Sequence, residues 1–301
     1  MQNHVLCSTD SYGVNKMDEV FKDIAAIGFK SIEVSCSQTR PPGIVPECLF
    51  NFRHNYPDSG WGKFSLPDLA EWLHSFGLKA EVMNASCELC HPRSVEWLRR
   101  RIDASKFLGI DVLSTGIGRG GEQAEARDIV RDNLQMACRY AEECGKIICV
   151  KTDAWLAEGA DEMLRFMDGV KSEHLKIDFD PSLILYHNPD ADLTNYLKEI
   201  ARLVGCVHLR GIMKKNGRSE LPQDGSCPVN YRKLFSLLNE NGFYGPFCLE
   251  TDYAYFWEPS SAQIPLTHGS WQAPWAFDSA GLRERSKKIR EFLTAYDLQP
   301  G

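Results

Sequence analysis

Short apolar runs alternate with longer amphipathic segments along the chain. The runs carry Val, Ile, Leu, Cys and Phe at successive positions, which is typical of strands buried on both faces of a parallel sheet. Eight strands are predicted, at His4–Ser8, Ser31–Ser35, Leu78–Met83, Asp111–Thr115, Lys146–Val150, Leu175–Phe179, Cys206–Leu209 and Phe247–Leu249.

Helical segments separate these runs, and a glycine directly follows five of them. The five are Lys16–Ile27, Leu66–Phe76, Ser94–Leu108, Glu125–Cys144 and Tyr231–Asn241. Glycine is typical of the residue that ends a helix, because it accepts a left-handed backbone conformation. No glycine-rich phosphate loop follows the first strand, as a dinucleotide-binding sheet would need. The pattern therefore predicts a single (β/α)8 TIM barrel domain over residues 1–301.

The overall composition narrows the class of protein. The chain is 43% hydrophobic and 25% charged, with a net charge of -7, which does not favour nucleic acid or an anionic membrane as a partner. It has no apolar stretch long enough to span a membrane and no signal-peptide pattern at its start. Several of its eleven cysteines lie in predicted strands. Buried reduced thiols of this kind lead us to expect a cytoplasmic protein.

Two irregular stretches, 37–63 and 253–278, interrupt the alternation of strands and helices. Each follows a strand, so both are predicted to lie on the C-terminal face of the barrel, where loops build or cover a pocket. Trp61 and Trp257 within them are candidates to stack on the apolar face of a sugar. Surface decoration, loop anchoring and a subunit contact are the alternatives.

Ionisable residues cluster where the late strands end. Lys151 ends strand 5, Asp180 ends strand 6, His208 and Arg210 end strand 7, and Glu250 ends strand 8. Buried charges are unfavourable unless they are paired or used. Four adjacent strands that bring such residues to one mouth therefore predict a functional site.

Three further residues are candidates for substrate binding at this mouth. Glu33 and Glu81 lie in strands 2 and 3, and Lys214 lies beyond strand 7. Together with Arg210, Lys214 would hold a hydroxyl, carboxylate or phosphate group. Solvated charges and structural ion pairs are the alternatives.

Four segments carry a resemblance to a known family, namely AEECGKIICVKTDAW (141–155), LKIDFDPSLILYHNPD (175–190), VGCVHLRG (204–211) and GFYGPFCLET (242–251). They resemble the motifs of the xylose isomerase-like TIM barrel superfamily, which includes sugar isomerases and epimerases and family 2 AP endonucleases. The resemblance implies a divalent metal (Mn, Mg or Zn) held by Glu, Asp, His and Glu from strands 5 to 8. It also implies that the two glutamates move a substrate proton.

The metal motif is incomplete in this chain. Asp180, His208 and Glu250 match three of the ligands, but Lys151 stands at the fourth position. The other departures are Asp153 and Leu183, which replace histidines, and Gly211, which replaces an acid. Lysine is a poor ligand because it must first lose a proton.

Lys151 offers a replacement for the metal. Its positive charge, with a neutral His208 and the carboxylates of Asp180 and Glu250, gives the same net charge as the metal-loaded motif. We therefore expect the Lys151 ammonium to pair with Asp180 and Glu250 and to polarise a substrate oxygen. A metal held by Asp180, His208 and Glu250, and a Schiff base on Lys151, stay open as alternatives.

The expected activity is proton transfer next to the carbonyl of a small sugar or keto acid, as in an isomerase or epimerase. Glu250 would be the acid/base, and Lys151 or a metal would be the electrophile. One alternative is a lyase or dehydratase in which Lys151 stabilises an enolate. Another is a non-catalytic barrel that binds a sugar or serves as a partner subunit. The sequence leaves the oligomeric state open, a homo-oligomer included.

Overall fold

The computed structural model describes residues 4–12, 17–35, 66–118, 124–210, 212–213, 219–220, 229–250 and 279–300. The stretches 37–63 and 253–278, with Trp61 and Trp257, lie outside these residues, as does Lys214. The roles expected of them stay predictions.

Eight parallel strands form a closed barrel. They are β1 (His4–Ser8), β2 (Ser31–Ser35), β3 (Lys79–Asn84), β4 (Val112–Thr115), β5 (Ile147–Lys151), β6 (Leu175–Phe179), β7 (Val204–Arg210) and β8 (Phe247–Glu250). Each strand pairs with the next one in the chain, and β8 pairs back with β1. This closure confirms the predicted TIM barrel.

Helices follow the strands along the chain. They are α1 (Met17–Ile27), α2 (Leu66–Ser75), α3 (Ser94–Leu108), α4 (Arg127–Glu143), α5 (Ala160–Val170), α6 (Pro181–His187), α7 (Leu193–Ile200), α8 (Tyr231–Glu240) and α9 (Ser279–Ala295). The glycine after the α3 helix, Gly109, has a φ of 69°, as expected of a residue that ends a helix. None of the helices in the described ranges is long and apolar enough to cross a membrane.

The barrel interior changes from apolar to charged along its axis. Leu6, Val82 and Cys248 form a small apolar layer inside the barrel. Beyond this layer, towards the C-terminal strand ends, the inward positions carry charged side chains. The strands end later than predicted: β5, β7 and β8 include Lys151, Arg210 and Glu250. These charges are therefore fixed by strand pairing rather than carried on loops.

Candidate active site

Strand alternation brings the charged residues of the late strands to one place. Residues two apart in an extended chain point to the same side, so Asp178 and Asp180, at the end of β6, and His208 and Arg210, at the end of β7, bring their side chains to the same side of the barrel wall. In register, Lys151 of β5 stands opposite Asp178 of β6. Asp178, Asp180 and His208 are fully buried, and Lys151 and Arg210 are nearly so.

Four buried residues at the strand ends form an inner cluster: Glu33 of β2, Lys151 of β5, Asp178 of β6 and His208 of β7. The Asp178 carboxylate contacts two basic side chains. Lys151 Nζ lies 3.1 Å from Asp178 Oδ2, and His208 Nδ1 lies 2.8 Å from Asp178 Oδ1. The other ring nitrogen of His208, Nε2, lies 3.1 Å from Glu33 Oε1. Lys151 Nζ is 3.2 and 3.1 Å from the two ring nitrogens, which places the amine over the face of the imidazole.

In the inner cluster, the neighbouring charges favour the ionised forms of Lys151, Asp178 and His208. Burial disfavours a charge on His208, yet the Asp178 carboxylate raises the His208 pKa well above its ordinary value, and Glu33 adds to this effect. Burial also opposes the charge on Lys151, but Asp178 again raises the pKa of the amine. The prediction of a neutral His208 was therefore wrong, because two carboxylates face its ring. A charged Lys151 also disfavours the Schiff base, which needs a free amine.

Three further residues form an outer bridge, made of Asp180, Arg210 and Glu250. Arg210 Nε lies 2.7 Å from Asp180 Oδ2, and Arg210 Nη2 lies 2.7 Å from Glu250 Oε2. The other oxygen of Asp180, Oδ1, accepts hydrogen bonds from the backbone N–H groups of Ser182 and Leu183 and so caps α6. One guanidinium thus joins the ends of β6, β7 and β8.

The expected pairing of Lys151 with Asp180 and Glu250 was wrong. Arg210 contacts both carboxylates, and Lys151 contacts Asp178 and His208. The reason is strand register: Arg210 stands opposite Glu250, whereas Lys151 stands opposite Asp178.

Glu250 is the acidic group of the outer bridge that fits acid/base work. Burial raises its pKa, although Arg210 acts in the opposite direction. Asp10 adds a nearby negative charge that raises the pKa further. A carboxyl group with a raised pKa exchanges a proton more readily near neutral pH.

Glu81 does not lie at the mouth, so its predicted role in substrate binding there is corrected. Its carboxylate contacts His4 Nε2 and Ser31 Oγ, each at 2.8 Å. His4 and Ser31 begin β1 and β2, so these contacts lie at the opposite, N-terminal end of the barrel. A register shift between Ile32 and Glu33 skips Glu81 in the pairing of β2 with β3, while Glu33 continues inward to His208.

A histidine–aspartate pair lies at the rim of the mouth. Asp153 follows β5, and its Oδ1 lies 2.8 Å from Nε2 of His187, the last residue of α6. The same oxygen accepts a hydrogen bond from the N–H of Ala154. Burial opposes the charge of Asp153, but the hydrogen bond from His187 holds the pKa of the carboxyl below its ordinary value.

The structure adds residues to which the sequence analysis assigned no role. Asp178 is the centre of the inner cluster, and the Ser114 hydroxyl donates to it. Asp10, in the turn Thr9–Tyr12 after β1, receives a hydrogen bond of 2.7 Å from Asn84. Asp178 could have been found by counting two residues back from Asp180. Asp10 and Asn84 offered a weaker signal, a polar residue at a strand end.

The divalent metal implied by the motif does not fit these side chains. Arg210 binds two of the three matching ligands, and both nitrogens of the third, His208, face carboxylates as donors. Within the described ranges, two other groups bring three donors together, and both need His208 and a cysteine, Cys206 or Cys248. Burial raises the pKa of both thiols, which keeps them protonated.

The barrel is similar to several solved structures. A D-psicose 3-epimerase from Clostridium cellulolyticum H10, solved with D-tagatose, is 14% identical with a TM-score of 0.67, covering 98% of this chain and 99% of its own. A D-allulose 3-epimerase from Methylomonas sp., solved with D-allulose, is 15% identical with a TM-score of 0.65, covering 98% and 97%. A xylose isomerase domain containing protein from Salmonella typhimurium LT2 is 10% identical with a TM-score of 0.70, covering 98% of each chain.

At these identities, the likeness shows the fold. No curated protein is significantly similar to the chain in sequence. The family model described as xylose isomerase-like TIM barrel, however, matches residues 21–284, which is well over half of the chain. The chain belongs to the xylose isomerase-like TIM barrel family.

Proposed function

We propose that this barrel is a sugar isomerase or epimerase that moves a proton next to a carbonyl without a metal. The proposal depends on one observation: the Arg210 guanidinium bridges Asp180 and Glu250 where the motif would hold a metal. A fixed cation beside a carboxyl with a raised pKa combines an electrophile with an acid/base.

The chemistry follows from the outer bridge and its neighbour Lys151. Glu250 takes the proton from the carbon next to the carbonyl, and the electron pair of the broken C–H bond moves to the carbonyl oxygen. Arg210 and Lys151 stabilise the negative charge that develops on this oxygen. The role expected of Lys151 alone is thereby shared with Arg210.

The charge balance of the mouth favours an uncharged substrate. The inner cluster and outer bridge hold four carboxylates, those of Glu33, Asp178, Asp180 and Glu250, and three cations. This leaves one negative charge in excess. A neutral sugar meets no net repulsion here, whereas a keto acid or sugar phosphate does.

A non-catalytic sugar-binding barrel is the second candidate. It is favoured by the complete pairing of the seven charges, since each of the four carboxylates already contacts a cation. A structural network needs no substrate to satisfy its charges. A lyase would use the same enolate but would release a dehydrated or cleaved product.

Hydrogen exchange separates these candidates. Protein purified with a chelator would be mixed in D2O with a panel of ketoses that includes D-allulose and D-tagatose, and carbon-bound deuterium would be followed by NMR. We expect wild type to incorporate deuterium and Glu250→Gln to do so at least about 100-fold more slowly. Glu240→Gln, on the exposed end of α8, is the matched control and should behave as wild type.

Each contrary outcome has a defined meaning. A sugar that binds without any exchange supports the non-catalytic barrel, and a dehydrated or cleaved product supports a lyase. Activity that disappears on chelation, together with one metal per chain by elemental analysis, contradicts the metal-free reaction.

A further inference from the structure

We propose that His187, held by Asp153, is the second proton-transfer residue of this site and acts across the mouth from Glu250. The inference rests on the proposed function, because it supplies the group that protonates the other face of the enolate. It assigns a reaction role to the rim pair.

The pair stands in the right part of the barrel. Asp153 lies two residues beyond Lys151, and its N–H donates to the Lys151 carbonyl at 2.9 Å, which fixes the chain as it leaves β5. In the closed order of strands, β5 and β8 are separated by β6 and β7. Asp153, which follows β5, and Glu250, at the end of β8, therefore lie at separate points around the mouth.

The pair is held rigidly from both sides. On one side, Asp153 Oδ1 accepts from the Ala154 N–H and from His187 Nε2, each at 2.8 Å. Ala154 has a φ of 49°, a left-handed conformation that alanine rarely adopts. Backbone strain of this kind is concentrated at functional positions, where the surrounding structure holds it.

On the other side, α6 connects the pair to the outer bridge. The helix is capped by Asp180 and ends seven residues later at His187. Near its start, the Ser182 hydroxyl donates to the Arg210 carbonyl at 3.0 Å. The position of His187 is thus tied to the guanidinium that binds Glu250.

Solvent access distinguishes the two proton-transfer groups. The side chains of His187 and Asp153 are 26% and 24% exposed, whereas Glu250 is 2% exposed. Imidazole gains and loses protons near neutral pH. His187 can therefore exchange its proton with water directly, whereas the more enclosed Glu250 takes a proton from a bound substrate and exchanges it with water through the mouth.

The proposed step balances. Glu250 removes the proton from one face of the carbon, and the C–H electrons form the enolate, whose oxygen faces Arg210 and Lys151. The enolate carbon then takes a proton from the His187 imidazolium on the opposite face, and the carbonyl re-forms. His187 regains its proton from water, and Glu250 gives the proton it took to water, so both residues return to their starting states. The configuration of that carbon is inverted.

A structural role is the competing explanation, since the same contact ties α6 to the turn after β5. The two roles differ in what they affect. If the contact is only structural, its loss lowers hydrogen exchange and epimer formation by the same factor. Loss of the second proton donor stops inversion but leaves Glu250 able to remove and return a proton on its own face.

The test compares His187→Gln with wild type, using D-allulose in D2O. We expect formation of the epimer to fall at least about 100-fold, while deuterium entry into the unconverted D-allulose falls less than about tenfold. Asp153→Asn, which keeps the imidazole but removes its carboxylate, should lower conversion to an intermediate extent. His74→Gln, an exposed histidine of α2, is the matched control and should behave as wild type.

Chemical rescue gives a second readout. His187→Ala leaves a partly exposed space, and added imidazole should restore epimer formation there without raising deuterium entry into D-allulose. If exchange and conversion fall by the same factor, or neither falls, the role of His187 is overturned while the proposed function stands. If wild type catalyses neither, the proposed function itself fails and this inference fails with it.

Discussion

The inner cluster and the outer bridge are built from the same kinds of side chain but leave their carboxylates in different states. In the inner cluster, burial opposes the charge of Asp178, yet His208 and Lys151 hold its pKa well below the ordinary value. In the outer bridge, Glu250 also contacts a cation, at 2.7 Å, and yet its pKa is raised.

The distance of the cations around each carboxylate, and the other charges near it, explain the difference. Asp178 lies within 3.1 Å of two cations, Lys151 and His208, and accepts a hydrogen bond from the Ser114 hydroxyl. Glu250 shares the Arg210 guanidinium with Asp180, lies 3.9 Å from His208 Nε2, and is near the negative charge of Asp10. A buried salt bridge alone therefore does not decide whether a carboxyl group stays ionised or can gain and lose a proton near neutral pH. The inner cluster acts as a fixed scaffold, and the outer bridge keeps an acid that can change its charge.

Asp178→Asn should give the largest loss of stability. It leaves Lys151 and His208 buried and short of one negative charge, which we expect to lower the free energy of unfolding by about 3–5 kcal/mol. Urea unfolding at neutral pH measures this. Asp132→Asn is the matched control, because that carboxylate is 63% exposed beside Arg131 and should contribute less than about 1 kcal/mol. Equal losses in the two variants would contradict the scaffold role.

The scaffold was only partly predictable from the sequence. Apolar runs and helix-ending glycines are local signals, and they were enough for the barrel and for a mouth lined by Asp180, His208 and Glu250. The partner of Lys151 depends on the stagger of neighbouring parallel strands, which no local signal records. The charge of His208 depends on Asp178 and Glu33, which come from two other strands.

Glu250→Gln should change how the free energy of unfolding depends on pH. The contribution that Glu250 makes to this dependence has the opposite sign to that of Asp178. A raised pKa in the folded protein means that Glu250 stabilises the fold while protonated, and that this stability is lost as pH rises through the folded pKa. One such group contributes a slope of at most about 1.4 kcal/mol per pH unit. The glutamine variant cannot ionise and should lack that decline.

Urea unfolding of wild type and Glu250→Gln between about pH 4 and about pH 8 measures this difference. The Asp178 contribution has the other sign: its pKa is lowered, so its stability is present above the ordinary aspartate pKa and is lost only in acid. If wild type instead gains stability relative to Glu250→Gln as pH rises, the pKa of Glu250 in the folded protein is lowered, as that of Asp178 is, and Glu250 stays ionised near neutral pH.

Glu81→Gln, at the N-terminal end of the barrel, should have the smallest effect on stability and activity. It tests whether charges at that end contribute to the reaction at the mouth. Glu81 is about a quarter exposed and contacts the half-exposed His4 and the mostly exposed Lys79. Burial acts to raise the Glu81 pKa, but the hydrogen bonds from Ser31 and His4 lower it overall, so its small contribution is lost as pH falls. We expect a loss of less than about 1 kcal/mol in unfolding free energy and unchanged hydrogen exchange with sugars.

Glu33→Gln is the informative partner of this variant, because Glu33 lies on the same pair of strands but reaches His208. It should lower both stability and exchange, since it removes one of the two carboxylates that keep His208 charged. If Glu81→Gln lowers exchange as much as Glu33→Gln does, the reaction depends on charge along the whole barrel axis. The conclusion that only the C-terminal end of the barrel contributes to the reaction would then be wrong.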